Sequence, residues 1–341
     1  MQLTFKTIDL QLKHTFTIAT VSRTFTPVVL TQIRHEDKVG FGEASMPPYI
    51  GEDHETASLF LEKAEKIIAK LTYPFDIQSV MKEVDALSVG NNAVKASVDI
   101  ALHDLKGQLE NRPVWEMFGT NPATMPITSF TIGIDTPSVL RQKVAESDGF
   151  KILKIKLGSS DDKAIIQTIR EVTDKPLYVD ANQGWKDKYE ALEMTHWLKE
   201  QGVLMIEQPM LKTDLDGNAF VTEGSPLPTI ADESCQRLAD IPRLKGVFHG
   251  INIKLMKSTG LNEGFKMLQL ARSLGLKVMI GCMSETSCGV LAAAQIAPLC
   301  DFVDLDTTWL ITNNPFENLA LKDGIIQLSH RAGLGLEECS G

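Results

Sequence analysis

The sequence has no cysteines at a spacing that bridging or metal chemistry uses. Cys235, Cys282, Cys288, Cys300 and Cys339 are scattered and odd in number. None forms a CxxC, so neither a disulfide framework nor a zinc site is expected. A surplus of positive charge is also missing. Asp and Glu total 44 against 34 Lys and Arg, for a net charge of −10. Such a chain is a poor match for nucleic acid, whose phosphates bind clustered Lys and Arg. Long apolar runs are lacking too. Gly289 to Phe302 is broken by Gln295, Pro298 and Asp301 and is too short to span a bilayer. The N-terminus alternates and carries charge early, without the apolar core of a signal peptide. The expected location is therefore the cytoplasm, with no membrane partner. GxSxG, Walker and HExxH motifs are absent. Gly333 and Gly335 sit in no strand–turn–helix and make no dinucleotide fingerprint. The seven histidines are dispersed. His103 falls on an apolar helical stretch, and His249 precedes a strand, at the end where barrels do not catalyse.

What is present is a recurring unit. KILKIKLG, YVDANQGW, MIEQP, TIADES and INIKLMK are short apolar runs, and each carries an ionisable residue at or near its end. Those residues are Lys156, Asp180, Glu207, Asp232 and Lys254. Each gap between them is long enough for a strand, a turn, a helix and a return. Repeats of that kind build a parallel barrel, with the active site at the carboxyl ends of the strands. Eight strands are expected: 127–132, 152–157, 177–180, 204–207, 229–232, 250–254, 278–282 and 302–306. Most intervals hold an amphipathic helix, such as DKAIIQTIREVT.

Before the barrel, residues 2–13, 27–33 and 39–44 alternate as a half-buried meander. A polar loop, TIATVSRTFT, is expected between the first two strands. Helical patterns follow at 54–70, 77–87 and 93–109. After the eighth strand, NPFENLALKDGIIQLSH reads as a hairpin with a Lys-Asp-Gly turn. The fold class is α/β. A modified TIM barrel, (β/α)7β, spans 119–310 behind an α+β capping domain at 1–118. A C-terminal segment, 311–341, is expected to pack back on the cap.

Asp180, Glu207 and Asp232 end successive strands. Three carboxylates brought together out of water need positive compensation. An oxygen-ligated divalent cation supplies it, and Mg²⁺ suits a few carboxylates plus waters or substrate oxygens. Lys154 and Lys156 alternate, so they share a face. Their flanks Ile152, Leu153, Ile155 and Leu157 indicate a covered strand. Lys254 lies across the ring. A lysine in a dry pocket or near another cation has a lowered pKa and can act as a general base. Two such lysines on opposite sides suit removal of a proton from carbon and its return to either face. Asp304 and Asp306 share a face at the last strand. They either cap the next loop or receive a substrate ammonium.

Taken together, Lys154-Ile-Lys156, Asp180-Ala-Asn182, Glu207-Gln-Pro209, Asp232-Glu-Ser234 and Lys254 resemble the enolase superfamily, in its muconate-lactonizing-enzyme-like subgroup. The likeness covers nearly the whole chain. Within the subgroup the chain is most similar to the dipeptide epimerases, on the strength of Asp304-x-Asp306. The resemblance implies Asp180, Glu207 and Asp232 as Mg²⁺ ligands and Lys156 and Lys254 as the acid/base pair. It also implies Lys154 beside the bound substrate carboxylate, lowering the pKa of Lys156. Asp304 and Asp306 would hold the α-ammonium of a dipeptide, and the segment carrying Cys282 and Ser284 would contact its backbone. Arg23 matches the position where epimerases of Ala-Glu place an arginine for the distal carboxylate. The implied reaction inverts the C-terminal residue of an L,L or L,D dipeptide, as in murein peptide metabolism, and the family tends to form homo-oligomers. One departure is Ala332 in the closing Ala-Gly-Leu-Gly, where the family has proline. The alternatives are N-acylamino-acid racemisation, cycloisomerisation and o-succinylbenzoate synthesis. A sugar-acid dehydratase would want a histidine in KVMIGCMSETS, which has none. An idle binding barrel would have little reason to keep five mutually dependent groups, and a structural metal site would need no paired lysines.

Overall fold

A computed structural model describes residues 1–19 and 21–339 of the chain. It opens with an antiparallel sheet of β1 (Gln2–Thr17), β2 (Ser22–His35) and β3 (Lys38–Ser45), in that order. The loop expected between the first two strands is mostly strand. After an irregularity beyond Gln11, pairing resumes with Phe16 opposite Arg23 and Thr17 opposite Ser22. Thr20, within that stretch, lies outside the described residues. Arg23 therefore sits on β2 and is only 9% exposed, not in a loop. Polarity alone misleads here. Thr and Ser favour or tolerate an extended ribbon, and the Thr17 and Ser22 hydroxyls bond each other across it at 3.0 Å.

Three helices follow: α1 (His54–Ile68), α2 (Ile77–Asp85) and α3 (Asn92–Glu110). Asp53 starts α1 by accepting from Thr56 N at 2.8 Å, in a reciprocal capping box. The α1 face Ala57, Phe60, Leu61, Ala64 and Ile68 is buried, as helical spacing requires. The α3 backbone lies directly against β3. A Cβ on Gly42 would meet Ser97 O at 1.8 Å, and one on Gly40 would meet Ala101 O at 2.1 Å. Glycine is needed at both places for this close approach.

A short helix, α4 (Val114–Met117), leads into the barrel. Its strands are β4 (Ser129–Ile132), β5 (Ile152–Lys156), β6 (Leu177–Asp180), β7 (Val203–Glu207), β8 (Thr229–Ala231), β9 (Gly250–Lys254), β10 (Lys277–Gly281) and β11 (Phe302–Asp304). They pair in parallel in chain order, and a Thr128–Val303 bridge joins the ends of the ring. The last strand stops at Asp304, so Asp306 belongs to the turn after it. The crossover helices are α5 (Pro137–Glu146), α6 (Asp162–Arg170), α7 (Lys188–Glu200), α8 (Leu215–Gly224), α9 (Leu261–Ser273) and α10 (Ser287–Ala294). Between β8 and β9 the crossover is instead a 3-10 helix, Leu238–Leu244, with Pro242 inside it. Proline lacks the N–H that an α-helix needs there.

Inside the ring, Ile152, Tyr178, Met205, Ile230 and Met279 form a separate apolar cluster. Each lies at or near the amino end of its strand, or at a middle position, so this layer plugs the barrel beneath the charged ends. The expected hairpin is β12 (Leu321–Lys322) and β13 (Ile325–Ile326). Asp323 and Gly324 between them both have positive φ, as the tight hairpin turn requires. The Gly324 carbonyl accepts from Thr128 N at 2.9 Å, placing the hairpin against the barrel. Residues further on reach α3: Leu334 N donates to Asp104 at 2.8 Å. No helix among the described residues is long and apolar enough to cross a membrane.

Asp104 joins three parts of the chain, since Phe41 N of β3 donates to its other oxygen at 2.8 Å. Burial pushes its carboxyl up to about 6, against the hydrogen bonds from Phe41 and Leu334. A carboxyl that binds its proton more tightly when folded contributes most stability below its unfolded pKa. That contribution fades as pH rises through the folded value. Between pH 4 and pH 6.5, the stability of the wild type relative to Asp104→Asn should therefore fall by about 2 kcal/mol. Urea unfolding of both proteins at the two pH values measures this. A pH-independent difference would show that Asp104 does not titrate in that window.

Candidate active site

Strand register brings the expected residues into rows. Lys156 of β5 lies opposite Asp180 of β6, which lies opposite Glu207 of β7. Across the ring, Lys254 of β9 lies opposite Gly281 of β10, which lies opposite Asp304 of β11. Alternation then turns these side chains into the barrel mouth while Leu153 and Ile155 pack outward among the helices. Asp180, Glu207 and Asp232 are all buried and each offers an oxygen within 4.8 Å of the others. Lys156 Nζ reaches Asp180 Oδ2 at 2.6 Å from one side, and Lys254 Nζ reaches Asp232 Oδ2 at 2.8 Å from the other. Lys154 Nζ lies 2.6 Å from Glu207 Oε2 and 2.7 Å from Asp304 Oδ2.

The charges set one another's protonation. Burial works to raise the Asp180 pKa, but Lys156 and Lys154 outweigh it and hold it low. Asp232 is also held low, by Lys254 and Lys257 acting against burial. Glu207 goes the other way: burial and the neighbouring Asp180 charge push it up. Its Oε2, although close to Lys154, makes no hydrogen bond of good geometry among the described residues. A buried, all-oxygen set with an unsatisfied carboxylate fits a hard divalent cation, so these three acids can hold a metal ion. The lowered lysine pKa expected from sequence is not what surrounds Lys254. Burial would lower it, but Asp232 and Glu207 hold it well above its ordinary value.

Several residues that position the acids were missed. Lys257 Nζ donates to Asp232 O at 2.7 Å and to Asn252 O at 3.1 Å, and pairs with the Asp232 carboxylate. Asn252 Nδ2 donates to Glu207 Oε1 at 2.8 Å. Gln208 has a φ of 37°, and its Oε1 accepts from Asp232 N and Ser234 N, both at 3.0 Å. The only sequence signal for Lys257 was its place one turn beyond Lys254.

One cavity connects both lysines with Lys154, Asp304, Asp306, Arg23, Cys282 and Ser284. Asp304 accepts from Lys154 and from Ser129 Oγ at 2.7 Å each. Burial works to raise its pKa, but Lys154 outweighs it and Asp304 stays low. Asp306 accepts from Thr131 N, and burial with the Asp304 charge pushes it up to about 7. Cys282 Sγ donates to Asp304 O at 3.3 Å. The Arg23 guanidinium sits over the rings of Phe16 and Tyr49, at 5.2 and 5.8 Å. It donates to Thr26 Oγ1 and Ser284 Oγ at 3.0 Å each. Its Nη1 is buried with no hydrogen-bond partner among the described residues.

This geometry agrees with what the chain is similar to. Residues 139–338 match the enolase C-terminal domain-like family. Residues 3–119 match the mandelate racemase/muconate lactonizing enzyme N-terminal domain. The chain belongs to the enolase superfamily. It is 52% identical over 337 residues to an L-Ala-D/L-Glu epimerase of Bacteroides thetaiotaomicron, covering 98% of this chain and 88% of that protein. It is 37% identical to an L-Ala-D/L-amino acid epimerase of Pedosphaera parvula, covering 96% of each. A crystal structure of the Enterococcus faecalis dipeptide epimerase complexed with Mg and L-Leu-L-Tyr superposes with a TM-score of 0.91. That pair is 33% identical over 98% of this chain and 99% of the other. This superfamily member is an isomerase of the racemase and epimerase kind.

Lys154 neutralises Glu207 and Asp304 at once. Replacing it with the similarly shaped methionine strands both buried carboxylates. Lys154→Met should lower the unfolding free energy by about 3–5 kcal/mol. Urea denaturation measures this, and a loss below about 1 kcal/mol would mean the acids are compensated elsewhere.

Proposed function

We propose that this isomerase is a Mg²⁺-dependent dipeptide epimerase. It inverts the α-carbon of the C-terminal residue of a free-amine dipeptide such as Ala-Glu. The observation that carries this reading is Asp306. It lines the cavity beside Asp304, is buried, and has no cationic side chain paired with it among the described residues. A substrate α-ammonium would neutralise it. An N-acylated amino acid has no such group, which disfavours the racemase and succinylbenzoate readings. The relatives named for dipeptide epimerisation support the same substrate class.

Asp180, Glu207 and Asp232 would hold the Mg²⁺, whose charge would stabilise the substrate carboxylate as it takes on enediolate character. With the ammonium at Asp304 and Asp306, the C-terminal α-carbon falls between Lys156 and Lys254. One lysine, neutral at the start, takes the α-proton and becomes an ammonium. The other gives its proton to the opposite face and becomes neutral, so each turnover exchanges the two protonation states. In the substrate-free arrangement, Asp232 and Glu207 favour the charged form of Lys254, the form that donates. Glu207 and Asp304 keep Lys154 charged, with burial opposing, so Lys154 orients without exchanging a proton. Arg23, with Nη1 unused, would receive the side-chain carboxylate of a C-terminal Glu.

Lys156→Ala and Lys254→Ala should each lower epimerisation by at least about 1,000-fold. Each should still exchange the α-proton of one epimer in D₂O with Mg²⁺, and the two variants should favour opposite epimers. Mass spectrometry reads this out, and full-rate exchange of both epimers by either variant would sink the two-base arrangement. Arg23→Ala should lower kcat/KM for L-Ala-L-Glu by about 10- to 100-fold, with a much smaller change for L-Ala-L-Leu. Equal losses would remove the carboxylate role.

A further inference from the structure

The cavity does not end at the two aspartates. It continues outward between β1 of the cap and α5 of the barrel, past Thr131, Leu12 and Leu310. Its inner end is buried: Asp304 and Asp306 are 5% and 1% exposed. Its outer end is His14 and Glu146, whose side chains are 30% and 37% exposed. These two meet at 2.7 Å, His14 Nε2 to Glu146 Oε2. Gln142 Nε2 fixes the other Glu146 oxygen at 2.8 Å. The pair is thus held rigidly where the cavity reaches solvent, one partner from each side. Lys143, on the same wall, is held by Asp135 at 3.0 Å and is not free to replace either.

This placement matters if the site takes a dipeptide as proposed above. An ammonium at Asp304 and Asp306 puts the α-carbon of the N-terminal residue next to them. The catalytic lysines and Arg23 occupy the direction of the C-terminal residue. The side chain of the N-terminal residue then has the outward arm of the cavity. We infer that the His14–Glu146 pair is the outer wall of the subsite for the substrate's N-terminal side chain and sets the size it accepts. Neither residue touches the reacting atoms, so the pair acts on selectivity and not on proton transfer.

The test compares L-Ala-L-Glu with L-Leu-L-Glu in the wild type, His14→Ala, Glu146→Ala and Glu146→Gln. Opening the wall should raise the ratio of kcat/KM for the leucyl over the alanyl substrate by about tenfold in both alanine variants, the scale set by a few methylenes in a pocket. Glu146→Gln keeps the volume and should keep the ratio within about twofold of wild type. Preference between Glu and Leu at the C-terminal position, read with L-Ala-L-Leu, should stay as in wild type. A ratio unchanged in both alanine variants overturns the inference, as does a rise of equal size in Glu146→Gln. If the wild type epimerises none of these dipeptides, the substrate reading itself fails. That outcome is distinct from an active enzyme whose selectivity ignores the pair.

Discussion

Mutual neutralisation of buried charge is the constraint on which the rest of this structure depends. Lys154, Lys156, Lys254 and Lys257 meet Asp180, Glu207, Asp232 and Asp304 at the mouth of the barrel, above its apolar plug. Each ion placed out of water costs several kcal/mol unless it is well paired. The geometry is therefore over-determined. Lys154 serves two acids, Asp232 receives two lysines, Asn252 donates to the Glu207 carboxylate, and Gln208 holds the backbone N–H of Asp232. The apolar plug of Tyr178, Met205 and Met279 beneath this layer keeps water from relaxing it. Charges held in this way need little reorganisation when a substrate's charge develops among them, which is what electrostatic catalysis requires.

The N-terminal sheet is part of the same site. Arg23 of β2 crosses to Ser284, and Ser45 of β3 donates to the Ser284 carbonyl at 2.6 Å. Glu43, also on β3, accepts from Thr286 N and Gly289 N at the start of α10, at 2.8 and 2.9 Å. Glu285 between them accepts from Met283 N at 2.7 Å, and burial with the Glu43 charge pushes it up to about 8. The segment at 282–286 is thus gripped from both sides. On the function proposed above, the barrel would supply the groups that move protons, and the cap part of the wall around the substrate. The His14–Glu146 contact also joins the two parts, with one residue from each.

Much of the barrel was legible because its signals are local. An apolar run ending in a charge, repeated at a βα interval, marks a strand and its carboxyl end together. The helices over 54–110 were legible from spacing for the same reason. The first hairpin was less so. Its polar Thr and Ser residues suggested a loop, yet cross-strand pairing extends through Arg23. The β8–β9 crossover likewise departs from an α-helix because Pro242 removes a needed N–H.

By itself, the sequence determined the eight-strand alternation, the three acids, the flanking lysines and the family they resemble. These are properties of residue type and spacing, and hydrophobic period makes them readable along one dimension. Only the tertiary structure decided which charges pair. Lys154 goes to Glu207 and Asp304, 53 and 150 positions away, and Lys257 joins Asp232 although its spacing seemed incidental. It also decided that Arg23 is buried between two rings with one nitrogen unpaired among the described residues, and that His14 meets Glu146 at the mouth. Such contacts depend on strand register and on how the cap sits over the ring. Both are set by packing among distant segments, and no local pattern encodes that.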